Sequence, residues 1–278
     1  MILSMRDGRG GTQATETAFE SFGVRLSVDV DDPALIPDVH KRLPPGWVAC
    51  EDDGLMTRFS VSSQDGHHYE VTRDAAPLGQ PAELEVALGI LDAHIRMQIS
   101  QRATQRIFVH AGAVALDERA LVLPGRSFAG KTTLVGALIR QGATYFSDEY
   151  AVLDDEGRLY PYPKPLSIRE RGAKPAPVAT RSTETHAADL GAEIGDRALP
   201  ITLIASTTYV PGARWDPRTV GRADGALLLL SHAVTARNAP GRVLSAVRSA
   251  AQGARALEGD RGEAEETAGF LLELLQAR

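Results

Sequence analysis

The sequence predicts an α/β protein, and three observations carry that expectation. A strand-like run, RALVLPG, feeds a glycine-rich loop that opens directly into a helical run, KTTLVGALIRQG. Strand and helix patterns alternate around this unit, as they do when helices cover a sheet. Ahead of it, residues 18–81 read in β-α-β-β order, which predicts a small α+β module in front of the larger domain.

In chain order, residues 1–17 hold three glycines and no apolar periodicity and are read as a flexible tail. VRLSVDV alternates as a strand, DPALIPDVHKRL opens with an Asp cap and runs as a short helix, and TRFSVSS and HHYEVTR alternate again. The module ends at DAAPLGQPAE, read as a linker. From 82 to 102, Leu84, Ala87, Leu88, Leu91, Ile95 and Ile99 share one helical face, which predicts a connecting helix into a domain covering 82–278. There RIFVHAGAVAL and RALVLPG are strands joined by the turn DER, and Gly142 is placed to end the helix after the glycine loop. TYFSDEYAVLD is read as one further strand and ITLIAS as a buried one. GRVLSAVRSAAQGARAL and EAEETAGFLLELLQA are read as closing amphipathic helices. Residues 169–200 show little periodicity, leaving open a lid or a mobile segment.

Composition narrows the class. With 24% charged and 43% hydrophobic residues the chain is ordinary for a globular protein, and 278 residues suffice for one large domain with an appendage. A net charge of -6 argues against general nucleic-acid binding. The single cysteine, Cys50, excludes an internal disulfide and any cysteine-based zinc cluster. No apolar run is long enough to span a bilayer, and none follows Met1 as a signal segment would. The expectation is a soluble cytoplasmic protein without membrane partners.

Gly125, Arg126, Ser127, Phe128, Ala129, Gly130, Lys131 and Thr132 fit G-x-x-x-x-G-K-[ST], the P-loop or Walker A pattern, in the strand, loop and helix context it requires. Glycines let successive N–H groups turn around phosphate oxygens, and the helix N-terminus adds positive potential. Lys131 is the expected counter-charge to the β/γ-phosphates, Thr132 a Mg²⁺ ligand, and Thr133 lies at the same helix start. Phe128 departs from the usual small residues of such a loop; its ring is left either covering the phosphates or packing on the 169–200 segment. Asp148 and Glu149 lie 17 and 18 residues beyond Lys131. Two neighbouring carboxylates there can hold Mg²⁺ and accept the proton of an attacking hydroxyl. His110 ends RIFVH just before Ala111 and Gly112, beside the expected loop.

The order His110-Ala111-Gly112, strand pair, P-loop, helix, Ser147-Asp148-Glu149 resembles the catalytic domain of bacterial HPr kinase/phosphorylase, and the HPr-kinase-like proteins encoded in ribosomal peptide clusters more closely. The resemblance covers residues 105 to 170. It implies a P-loop domain of the HPr kinase and phosphoenolpyruvate carboxykinase type, ATP and Mg²⁺ as cofactors, and His110, Lys131 and Asp148 as catalytic residues. It further implies Thr132, Asp148 and Glu149 around the metal, and self-association as a homo-oligomer. Glu149 stands where the family has a second Asp, which leaves the division of roles open. SIRERG is a weak echo of a later family signature and offers Arg169 as a phosphate contact; an exposed charged loop is the reading these residues favour on their own. GDRGEAEE is read as a solvated turn capping the last helix, with Arg261 and Glu263 as lesser site candidates, and Arg214 and Trp215 as residues at a ligand edge.

A regulatory GTPase needs an Asn-Lys-x-Asp guanine reader, and the one asparagine, Asn238, stands in ARNAP. The same absence removes the catalytic-loop Asn of eukaryotic-type protein kinases. The activity the resemblance implies is transfer of the γ-phosphate of Mg-ATP to a Ser or Thr hydroxyl of a protein or peptide. The competing expectation is a nucleotide-binding regulatory or scaffold protein that transfers nothing.

Overall fold

A computed structural model describes residues 15–126, 129–169 and 182–277, with 167–169 and 182–184 described by backbone alone. Two compact units divide the chain. One takes the residues up to Glu20 with Arg25–Leu43 and Trp47–Ile95; the other takes Ser21–Val24, Pro44–Gly46 and the chain from Arg96 onward.

The first unit is built on a seven-stranded mixed sheet. Strands β1 (Glu16–Ser21) and β2 (Val24–Val30) are joined through Phe22 and Gly23, both at positive φ, the backbone that a two-residue hairpin turn demands. Asp32 caps a short 3-10 turn by accepting from the Ala34 N–H, and α1 (Ile36–Arg42) follows. Then come β3 (Val48–Ala49), β4 (Thr57–Ser63), β5 (His68–Arg73), β6 (Ala76–Pro77) and β7 (Ala82–Glu83). The order is β3-β1-β2-β4-β5-β6, with β7 also on β5; β2 and β4 run parallel, and β4 and β5 antiparallel. Alternation buries Leu26, Val28, Phe59 and Val61 completely. Helix α2 (Leu84–Arg102) buries Ala87, Leu88, Leu91, Ile95 and Ile99 as its spacing predicts, and the division between the units falls within it.

The second unit is a three-layer arrangement. Its strands are β8 (Ile107–Leu116), β9 (Arg119–Pro124), β10 (Thr144–Ser147), β11 (Tyr150–Leu153), β12 (Leu159–Tyr160), β15 (Ile201–Tyr209), β16 (Arg218–Val220) and β17 (Arg255–Arg261), with β13 (Leu166–Arg169) and β14 (Ser182–Thr185) forming a separate hairpin. The main sheet runs β12-β11-β8-β9-β15-β17-β16, with β10 also on β8; β9, β15 and β17 are parallel. Helices α4 (Arg222–Leu230) and α5 (Pro240–Gln252) share one core cluster with the sheet, and α3 (Lys131–Arg140) and α6 (Ala264–Gln276) share the other. Covering helices on both faces are what a parallel sheet centre requires.

Four local expectations change. The linker DAAPLGQPAE contributes the short strands β6 and β7, because Asp74 and Ala75 take positive φ and turn the chain back onto β5. The strand expected over 144–154 is two, β10 and β11, separated at Asp148 and Glu149; the Ser147 hydroxyl accepts from the N–H groups of Glu149 and Tyr150 and turns the chain there. The helix expected through Leu257 ends at Gln252, because Gly253 interrupts it and 255–261 pair with β15. Trp215, expected at a ligand edge, lies instead in the core shared with α6, while Arg214 is exposed. Of the tail expected over 1–17, residues 1–14 lie outside the described residues, and β1 begins at Glu16. Among the described residues no helix is long and apolar enough to cross a membrane.

Candidate functional site

β9 delivers the chain, at its C-terminal end, into the loop 125–130. Gly125 is buried; Ser127 and Phe128 lie outside the described residues, so the question left open about the Phe128 ring is untouched. Gly130 takes φ +79°, a left-handed conformation that side chains resist, and α3 starts at the next residue. A Cβ added at Gly130 would lie 2.4 Å from Nη2 of Arg261, so a side chain there would also have to push the guanidinium aside.

Lys131 is 9% exposed. Its Nζ donates to the carbonyl oxygens of Gly125 (2.8 Å) and Arg126 (2.9 Å), folding the side chain back along the loop. Burial lowers its pKa to about 8, against the opposing pull of Asp148 and Glu149. Next to it the Thr132 hydroxyl donates to Oδ2 of Asp148 at 3.2 Å. Asp148 is buried at the break between β10 and β11, and its Oδ1 receives the Tyr145 hydroxyl at 3.3 Å. The single proton of that hydroxyl is shared with the closer Lys164 carbonyl at 2.7 Å, and burial with the nearby Asp148 charge pushes the tyrosine pKa far up, so it stays a neutral donor.

Glu149 turns to other partners. Its Oε2 stands 3.1 Å from Arg96 Nε and 3.5 Å from Lys164 Nζ, two ion pairs among largely buried side chains. Of the three residues expected around a metal, the described contacts bring Thr132 and Asp148 together and direct Glu149 to cations.

His110 joins the site through its backbone. Its N–H donates to the His232 carbonyl at 2.8 Å, its own carbonyl accepts the Gly125 N–H at 3.5 Å, and β8 pairs it directly with Tyr150 of β11. The Ala111 N–H donates to the Glu149 carbonyl at 3.0 Å, so the histidine, the loop and the acidic pair are stitched into one backbone unit. Burial, then the Lys131 charge, lowers the His110 pKa to about 4, leaving the imidazole neutral at physiological pH. His232 is lowered as well, by burial and by Lys131 and Arg126.

Arg126 and Thr133 are exposed and Ala129 is half-buried. Arg169 ends β13 opposite Ser182, with only its backbone described. Arg261, placed by its sequence in a solvated turn, is 2% exposed: Nη2 donates to the Gly130 carbonyl and Nη1 to that of Gly262, each at 2.9 Å. That correction comes from β17, whose first residues, to Leu257, the sequence reads as the end of a helix and whose last it reads as a turn. Tyr145, Lys164, Arg96 and His232 carry no motif; they come from β10, the segment after β12, α2 and the turn after α4, a meeting that local sequence does not announce.

The donor set suits a hard cation. Thr132 Oγ1 and Asp148 Oδ2 are adjacent oxygens of the kind Mg²⁺ takes from a protein while phosphates and water supply the rest. Among the described residues no group of three or more His, Cys, Asp or Glu would hold a metal by itself. Compared with models of known protein families the chain matches none, and no curated protein matches it.

Proposed function

We propose that the chain is an ATP-dependent phosphotransferase of the HPr-kinase-like P-loop type, moving the γ-phosphate of Mg-ATP to a Ser or Thr hydroxyl of a protein or peptide. The observation that carries this reading is the 3.2 Å approach of Thr132 to Asp148, directly beside buried Lys131 at the start of α3. It groups the Lys131 amine, the Thr132 hydroxyl and the Asp148 carboxylate at the start of α3, which supports their use as phosphate counter-charge, metal ligand and proton acceptor.

In this reading the N–H groups of the loop and of the first turn of α3 hold the phosphates. Lys131 exchanges its two carbonyl partners for phosphate oxygens. Thr132 and Asp148 would hold Mg²⁺, which when bound neutralises charge on the phosphate oxygens. As the acceptor oxygen bonds to the γ-phosphorus and the bridging bond to ADP breaks, the hydroxyl proton passes to Asp148. His110, kept neutral by burial in the ligand-free chain, serves as a hydrogen-bond partner beside the phosphates. Glu149, neutralised by Arg96 and Lys164, holds the 148–149 break in place. Positioning and electrostatics supply most of the rate.

The test is Lys131→Ala. Transfer from Mg-ATP should be abolished while the melting temperature shows a folded protein; undiminished transfer would remove the site.

A further inference from the structure

We infer that Arg261 is a positioning residue for the anion site of the loop, orienting the Gly130–Lys131 peptide so that the Lys131 N–H faces a bound polyphosphate. This rests on the reading that the loop takes a polyphosphate.

A trans peptide points its N–H opposite to its C=O. The Gly130 carbonyl receives the Arg261 Nη2 at 2.9 Å and the Leu134 N–H, the first helical bond of α3, at 3.1 Å. With the carbonyl held by two donors on the helix side, the N–H of Lys131 is held toward the loop. Donors on a carbonyl also polarise the peptide and strengthen the N–H as a donor.

Arg261 is itself fixed from several sides. Its Nη1 bonds the Gly262 carbonyl, and the Tyr209 ring lies 5.3 Å from the guanidinium carbon, within cation–π range. The Tyr209 hydroxyl donates to Glu263 at 3.2 Å. Gly262 has no room for a side chain, since a Cβ there would lie 2.1 Å from the Ala213 carbonyl. An apolar side chain at 261 would fill this space without desolvating a charge. The guanidinium adds a rigid donor on the loop and a cation beside it, and its buried Nε has no hydrogen-bond partner among the described residues. The closeness of Gly130 and Arg261 makes the two positions one device, since any side chain at 130 would displace the guanidinium.

The experiment is calorimetric titration of the full chain with MgADP and, separately, with inorganic pyrophosphate, comparing wild type, Arg261→Met and Arg261→Lys, with folded fraction taken from thermal melts. Wild type binds both ligands. Arg261→Met weakens both by tenfold or more per folded molecule, and Arg261→Lys recovers part of the loss, a rescue that mere space-filling would not produce. Wild-type affinity in folded Arg261→Met overturns the inference and leaves the proposed function standing. If Arg261→Met does not fold, Arg261→Lys decides: affinity at least threefold weaker than wild type supports the role, and equal affinity overturns it. Failure of wild type to bind either ligand removes the polyphosphate reading and this inference together.

Discussion

Lys131 and His110 are both pushed toward neutrality, with different consequences. With its pKa lowered to about 8, Lys131 is charged at pH 7 and loses its proton as the pH rises through about 8, well below an exposed lysine. A phosphate beside it favours the charged form, so polyphosphate binding at pH 8.5 to 9 should take up part of a proton. Titration calorimetry in two buffers of different ionisation heat reads this directly; equal heats in both would contradict it. For His110 the folded value of about 4 lies below the ordinary 6.5. Above pH 6.5 folded and unfolded states are both neutral there. Between 6.5 and about 4 the unfolded state binds the proton first, so stability falls as the pH drops through that window. Melting curves should show His110→Gln losing less stability than wild type from pH 7 to 4.5, and parallel losses would contradict the assignment. Asp148→Asn should lower transfer by about 10²- to 10⁴-fold, the range for a removed general base, with the fold retained.

At the scale of elements, close backbone approach decides which substitutions the second unit tolerates. Gly157 takes φ +79°, and a Cβ there would lie 2.4 Å from the Ala250 nitrogen and 2.7 Å from the Ala246 carbonyl of α5. Gly157→Ala therefore meets backbone, not a side-chain tip, and should destabilise by about 1 to 3 kcal/mol in denaturant unfolding, without altering nucleotide affinity per folded molecule. The strand, glycine loop and helix over 119–140 were legible because Gly130, Lys131 and the α3 apolar face each follow from local chemistry. The stripe on α2 was equally plain. The break at 148–149 was not, because its cause is a single Ser147 hydroxyl inside an otherwise strand-like run. β17 was hidden because ARAL reads as well on a helix as on a strand, and only pairing with β15 decides. Arg261 was misread with it: a charged residue between Asp260 and Gly262 looks solvated until the strand carries it to the back of the loop. The ion pairs of Glu149 join α2, the 148–149 break and the segment after β12, and no sequence spacing encodes that meeting.

At the scale of the whole molecule, the second unit holds every residue proposed to bind nucleotide, and ligand stabilisation should begin there. Saturation at about 100 times the dissociation constant adds about 2.7 kcal/mol to the state that binds. Hydrogen exchange with MgADP should slow in the backbone of β9, α3 and β17; slowing confined to residues 25–43 and 47–95 would contradict the placement of the site. The central claim, that phosphate is moved and not merely held, is met most directly by following γ-labelled ATP. The intact chain, Mg²⁺ and a soluble extract of the source cells are incubated beside an Asp148→Ala control. The account predicts label on a protease-sensitive band or peptide, at Ser or Thr, with the intact chain only. Label remaining in ATP despite measurable nucleotide binding would contradict phosphoryl transfer and leave a nucleotide-binding regulatory protein.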